Sequence, residues 1–70
     1  MNAISEFIKS KRKEVGITQI ELAQKSGLGL RFIRECEQGK QSLRMDKVNQ
    51  LLMMFGHELR PQRMNTEDEP

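Results

Sequence analysis

The sequence predicts an all-α fold, four short helices forming one small domain. Three observations predict it. Four stretches carry apolar residues three and four positions apart, the spacing that gathers side chains onto one helix face. A glycine follows each stretch, at positions 16, 27, 39 and 56, where a helix can end. The third is size. A chain of 70 residues has a marginal core and depends on a disulfide, a metal, a partner subunit or very regular helix packing. One Cys and one His can build neither an internal disulfide nor a four-ligand zinc site, which leaves helix packing and oligomerisation.

The first helix is expected over residues 3–15, with Ile4, Phe7, Ile8 and Val15 on its inner face. The second begins at a capping box, Thr18-Gln19-Ile20-Glu21. There the Thr18 hydroxyl accepts from the Glu21 amide and the Glu21 carboxylate accepts from the Thr18 amide. Ile17, just before the cap, can pack on Leu22 as a hydrophobic staple. Ala23 is small enough to let another helix approach closely. The third helix, residues 30–37, follows after only Leu28 and Gly29, with Ile33 and Cys36 inward; Gly29 is a weak cap beside Ser or Thr. So short a connection is the spacing of a helix-turn-helix. The fourth helix is expected over residues 45–55, where Val48, Leu51, Leu52 and Phe55 form the stripe and Met53 and Met54 lie off it. Residues 1–61 make the domain. Residues 62–70 are polar and acidic and read as a disordered tail.

Composition excludes several classes. No apolar run approaches the roughly 20 residues of a membrane span, and the N-terminus does not read as a signal peptide. A lone His57 and a lone Cys36 make a catalytic dyad or triad a poor reading, so no enzyme, cofactor or metal is expected. The sparing use of cysteine fits a reducing cytoplasm. The net charge of +2 hides an asymmetry. Residues 1–44 carry nine bases against five acids, and residues 45–70 three against five, with acids at 67, 68 and 69. A basic globular part is the electrostatic footprint of nucleic-acid binding.

Thr18-Gln19-x-x-Leu22-Ala23-x-x-x-Gly27, then Ile33, then Glu37-x-Gly39, resembles the helix-turn-helix of XRE/Cro-type DNA-binding proteins over about residues 8–56. The resemblance implies a lambda-repressor-like four-helix domain whose third helix enters the major groove of double-stranded DNA. Gly29 and Phe32 depart from the family, which usually has Ser, Thr or Asp at the first position and a small or polar residue at the second. Arg12 and Glu37 resemble the family's Arg–Glu pair, a structural pair joining the first helix to the end of the third.

On that reading the base contacts are expected from Leu30, Arg31, Arg34 and Glu35. Arg31 comes first, because arginine pairs bidentately with guanine. Arg34 reads a base or reaches a phosphate. Leu30 can touch a thymine methyl. Glu35 accepts from cytosine or pairs with Arg31 four residues earlier. Phosphate contacts are expected from Thr18, Gln19, Gln38, Lys40 and Arg44. Single-stranded RNA is the weaker reading, because no aromatic residues are interleaved with the bases.

Proteins of this kind form homodimers that place two recognition helices one turn of DNA apart, about 34–36 Å, on a palindromic operator. The material for a dimer interface is Leu51, Met53, Met54, Phe55 and Leu59, with residues 58–60 pairing with their mate as a short antiparallel strand. Gly39-Lys40 and the stretch from Leu43 to Leu59 resemble the compact HipB-type antitoxins. That resemblance implies a repressor of its own operon that also neutralises a HipA-like kinase toxin, cytoplasmic and nucleoid-associated when bound to its operator. The alternative is a stand-alone phage-type or chromosomal regulator without a toxin partner. His57 reads as a surface residue or a charge at a helix end.

Overall fold

A computed structural model of the chain describes residues 2–64. It contains four helices: α1 (Ala3–Val15), α2 (Gln19–Ser26), α3 (Leu30–Gln38) and α4 (Met45–Met53). No strand occurs among the described residues. Of the expected tail, residues 65–70 lie outside them.

Local chemistry sets the helix boundaries. Asn2 caps α1 through a box that sequence reading missed. Its Oδ1 accepts from the Ser5 amide and its own amide donates to Ser5 Oγ, both at 2.9 Å. Ser here plays the part usually given to Glu or Gln, and Ser5 is fully buried. The expected box at α2 is present, with Glu21 N–H to Thr18 Oγ1 at 3.1 Å and Thr18 N–H to Glu21 Oε1 at 2.8 Å. Gly27 follows α2 in the left-handed conformation, φ 74°, where an L side chain is strained. α3 starts without a side-chain cap, as Gly29 requires.

α4 is shorter than expected. It ends at Met53, and the next two residues tighten into i→i−3 bonds, Met54 N–H to Leu51 O and Phe55 N–H to Leu52 O. Gly56, φ 72°, then reverses the chain, and the His57 amide closes on Leu52 O at 3.0 Å. The terminal carbonyls of α4 are thereby satisfied without another helical turn.

α3 packs against both α1 and α2. The core consists of Ile8, Leu22, Ala23, Leu28, Ile33, Cys36, Val48, Leu51 and Leu52, flanked by half-buried Ile4, Phe7, Ile17, Leu30, Phe32, Leu43, Phe55 and Leu59. Two expectations are corrected. Val15 is 60% exposed. Its angular position on α1 is inward, but it sits in the last turn, and the reversal at Gly16 brings Ile17 to the core in its place. Leu51 is 0% exposed, so it belongs to the core and offers no surface to a second copy.

α4 and the segment after it are held by specific polar bonds. Gln50 Nε2 donates to Ser26 O at 3.0 Å, tying α4 to the end of α2. Asn49 Oδ1 accepts from the Leu59 amide at 2.8 Å and holds the C-terminal segment along α4. His57 lies on the ring of Phe7, centroids 4.4 Å apart, and Phe7 meets Phe55 edge-on at 6.3 Å. His57 is therefore a docking residue between the turn after α4 and α1.

Ile33→Ala should cost about 2–5 kcal/mol in urea denaturation, because it empties a fully enclosed site. Val15→Ala should change stability by no more than about 0.5 kcal/mol, as expected for an exposed position.

Candidate nucleic-acid interface

The site is built around a buried charge. Glu37, in the last turn of α3, is 2% exposed. Its Oε2 accepts from Arg12 Nε of α1 at 2.7 Å. Its Oε1 accepts from Arg12 Nη2 at 3.0 Å and from Gln19 Nε2 of α2 at 3.1 Å. A further nitrogen of Arg12 donates to Ile17 O at 3.0 Å. The expected structural pair is present in bidentate form, the geometry in which guanidinium and carboxylate bind best. Burial pushes the Glu37 carboxyl up, but the bonds from Arg12 and Gln19 outweigh it and hold the carboxyl below its ordinary value. The bond to Glu37 correspondingly raises Arg12. Among the described residues no buried side-chain nitrogen or oxygen lacks a partner.

With Ile33, Cys36 and Glu37 turned inward, the opposite stripe of α3 presents Arg31, Arg34, Glu35 and Gln38, spaced i, i+3, i+4 and i+7. Arg31, Arg34 and Glu35 of the residues expected to read bases lie on this stripe, together with Gln38 of the expected phosphate set. Arg31 is 90% exposed, with its Nε 3.5 Å from Glu35 Oε2. The same carboxylate oxygen lies 3.2 Å from Lys40 Nζ, and these bonds, Lys40's first, hold Glu35 below its ordinary value. Arg34 is exposed and has no acidic partner within the described residues. Leu30 is half-buried against the core, so only part of its side chain faces outward.

Of the expected phosphate contacts, Gln38 lies on this stripe and the others on neighbouring segments. Thr18 is exposed and engaged in its cap. Gln19 gives its amide nitrogen to Glu37, a tie that sequence reading did not include. Gln38 is exposed, one residue before Gly39. Arg44 is clamped by Asp46, with Nη2 to Oδ2 at 2.7 Å and Nε to Oδ1 at 3.2 Å. A cleft between the start of α3 and the α3–α4 loop is lined by Arg31, Glu35, Ser42, Arg44 and Lys47, among others. Lys47 was missed. The signal was available in its place one helical turn after Arg44, on the same side of a helix start.

Cys36 packs beneath this face. Burial, and secondarily the charge of Glu37, push its thiol up to about 11, so it stays protonated and inert. No group of three or more His, Cys, Asp or Glu suited to a metal exists among the described residues. No helix there is long and apolar enough to cross a membrane.

The Glu37 cluster gives stability a defined pH dependence. The unfolded chain takes up this proton near the ordinary value of 4.5, whereas the folded domain resists until lower pH. Its contribution is therefore complete above about pH 4.5 and is lost as pH falls through the lowered native value. Glu37→Gln should flatten this part of the stability–pH profile. At pH 7 it should cost about 3 kcal/mol, because Arg12 is left without its buried partner. Chemical denaturation from pH 3 to pH 7 reads both effects.

A family model described as Helix-turn-helix matches residues 8–59. An uncharacterized HTH-type transcriptional regulator, y4mF, of Sinorhizobium fredii is 42% identical over 53 residues, covering 76% of this chain and 70% of that protein. No solved structure matches the chain. A match across most of the sequence, over helices arranged as the motif requires, shows that the chain belongs to the XRE-type helix-turn-helix family of DNA-binding transcriptional regulators.

Proposed function

We propose that the protein is a sequence-specific repressor that binds a palindromic operator as a homodimer, with α3 in the major groove. The observation that carries the reading is the exposed stripe of α3. It sets Arg31 and Arg34 outward on a helix whose other side is locked to α1 and α2 by the core and by Glu37. A rigid helix with two outward arginines and Lys40 at its end has the parts of base reading and of phosphate positioning.

The dimer surface is read from α4 and the segment after it. Met45 and Met53 are strongly exposed and Met54 partly so, while Phe55 and Leu59 are half-buried. Met45 joins the residues expected from sequence, and Leu51 leaves them. The Leu59 amide is held by Asn49 along α4. Residues 58–60 are where a second copy would pair as a short antiparallel strand.

The likeness of Gly39-Lys40 and residues 43–59 to HipB-type antitoxins supports a second role, repression of its own operon together with neutralisation of a HipA-like kinase toxin. A kinase encoded beside this gene that copurifies with the protein supports that role. A neighbourhood without one leaves the stand-alone regulator.

The DNA reading is tested by fluorescence anisotropy on a duplex enriched from a random library. Arg31→Ala and Arg34→Ala should each weaken specific binding by about 5- to 150-fold, the range of one good bidentate base contact. Unchanged affinity in both variants would remove α3 as the reading helix. Sedimentation at micromolar concentration should show a dimer that Met53→Glu converts to monomer. A wild-type monomer throughout would overturn the dimer.

A further inference from the structure

Glu35 is an acid on a face otherwise set out for a polyanion. Its Oε2 is shared by Lys40 Nζ at 3.2 Å and Arg31 Nε at 3.5 Å. Its side chain is 26% exposed against 90% for Arg31, so the carboxylate sits between the two cations rather than projecting past them. Arg34, three residues from Arg31 on the same stripe, has no such counter-ion among the described residues. Two of the cations suited to DNA are therefore partly neutralised within the free domain.

We propose that Glu35 acts as an internal competitor of DNA phosphate that sets how tightly the domain holds any duplex. It holds Lys40 and Arg31 in the free domain, and each must leave it to meet a phosphate. The inference rests on the DNA-binding reading of α3 and deepens it. Its physical basis is that phosphate attraction is independent of sequence. A carboxylate that occupies two cations lowers affinity for every duplex alike. At a matched site the base contacts of α3 leave net binding after the two ion pairs are given up, whereas the weaker hold on random DNA falls toward none. The ratio of specific to non-specific affinity is unchanged, but at a given protein concentration less of the protein is held on random DNA.

The test is a double-variant cycle on a random duplex and on the enriched duplex, with wild type, Glu35→Gln, Lys40→Gln and the double variant, all checked for unchanged folding by circular dichroism. In wild type, Lys40→Gln should alter random-duplex affinity and its salt slope only slightly. In the Glu35→Gln background it should weaken binding by a further factor of about two to five at 50 mM salt, the fold-change that corresponds to an exposed ion pair. It should also reduce the slope by about 0.9, one phosphate contact. The coupling should vanish near 300 mM salt. Glu35→Gln alone should bind the random and the enriched duplex more tightly by a similar factor.

Additive effects of the two substitutions would overturn the proposal. So would a Glu35→Gln variant that changes the preferred base at one position while leaving random-duplex affinity intact, because Glu35 would then be a direct base reader. If Glu35→Gln does not fold, Lys40→Gln alone decides. A full loss of about 0.9 in slope in the wild-type background shows an unoccupied Lys40 and overturns the proposal. Wild type that binds neither duplex at 50 mM salt overturns the DNA reading and this inference together, whereas wild-type binding with additive variants overturns only the latter.

Discussion

The Glu37 carboxylate is bound from α1 by Arg12 and from α2 by Gln19 while it belongs to α3. Three helices thus meet on two oxygen atoms, at a site nearly closed to water. A buried carboxylate is costly unless every lone pair is used and an opposite charge lies against it. That requirement makes the contact selective. Apolar contacts tolerate sliding of one helix along another, whereas two parallel hydrogen bonds to a guanidinium tolerate little. The angle of α3 relative to α1 and α2 is thereby fixed, and with it the direction in which Arg31 and Arg34 project.

The same cluster explains why Gln19 has two readings. From sequence, a Gln at the first position of a helix beside a positive dipole end suggests a phosphate contact. In the structure its amide nitrogen is donated inward to Glu37. Its side chain therefore couples the helix that lies across the DNA backbone in this motif to the helix that reads the bases. Substituting it would disturb the geometry of α3 as well as any contact made at the N-terminus of α2, so loss of binding in such a variant does not by itself identify a phosphate contact.

Much of the fold was legible in the chain because its signals are local. The Thr18–Glu21 box, the glycines after α1, α2 and α3, and the apolar spacing set the helices almost to the residue. Arg12 and Glu37 could be paired only through a family resemblance, since nothing local links positions 25 residues apart. The misses share a cause. Val15 lies at the right angle on α1 but beyond the reach of its neighbours, and helical periodicity gives angle without axial position. Leu51 was offered to a partner because a helix stripe does not say how wide the core is. Ser5 was missed because its burial depends on the Asn2 cap, which uses Ser in an unusual third position. His57 is exposed as expected, but its contact with Phe7 follows only from the turn at Gly56.

The charges follow a comparable logic. The net charge of +2 is small and its positive excess lies in residues 1–44, where the exposed cations are further divided among local partners. Lys11 lies near Glu14, Arg44 is held by Asp46, and Lys40 and Arg31 share Glu35. These pairs contribute little to stability, since exposed ion pairs rarely exceed about 1 kcal/mol. On the proposed DNA-binding reading of α3, their effect is on recognition. Each cation comes already oriented by its partner and loses less conformational freedom on meeting a phosphate, but each must also give up a carboxylate to do so. Binding then depends less on total charge than on how many contacts form together, which makes the rigid placement of α3 by Glu37 the condition for discrimination between one sequence and another.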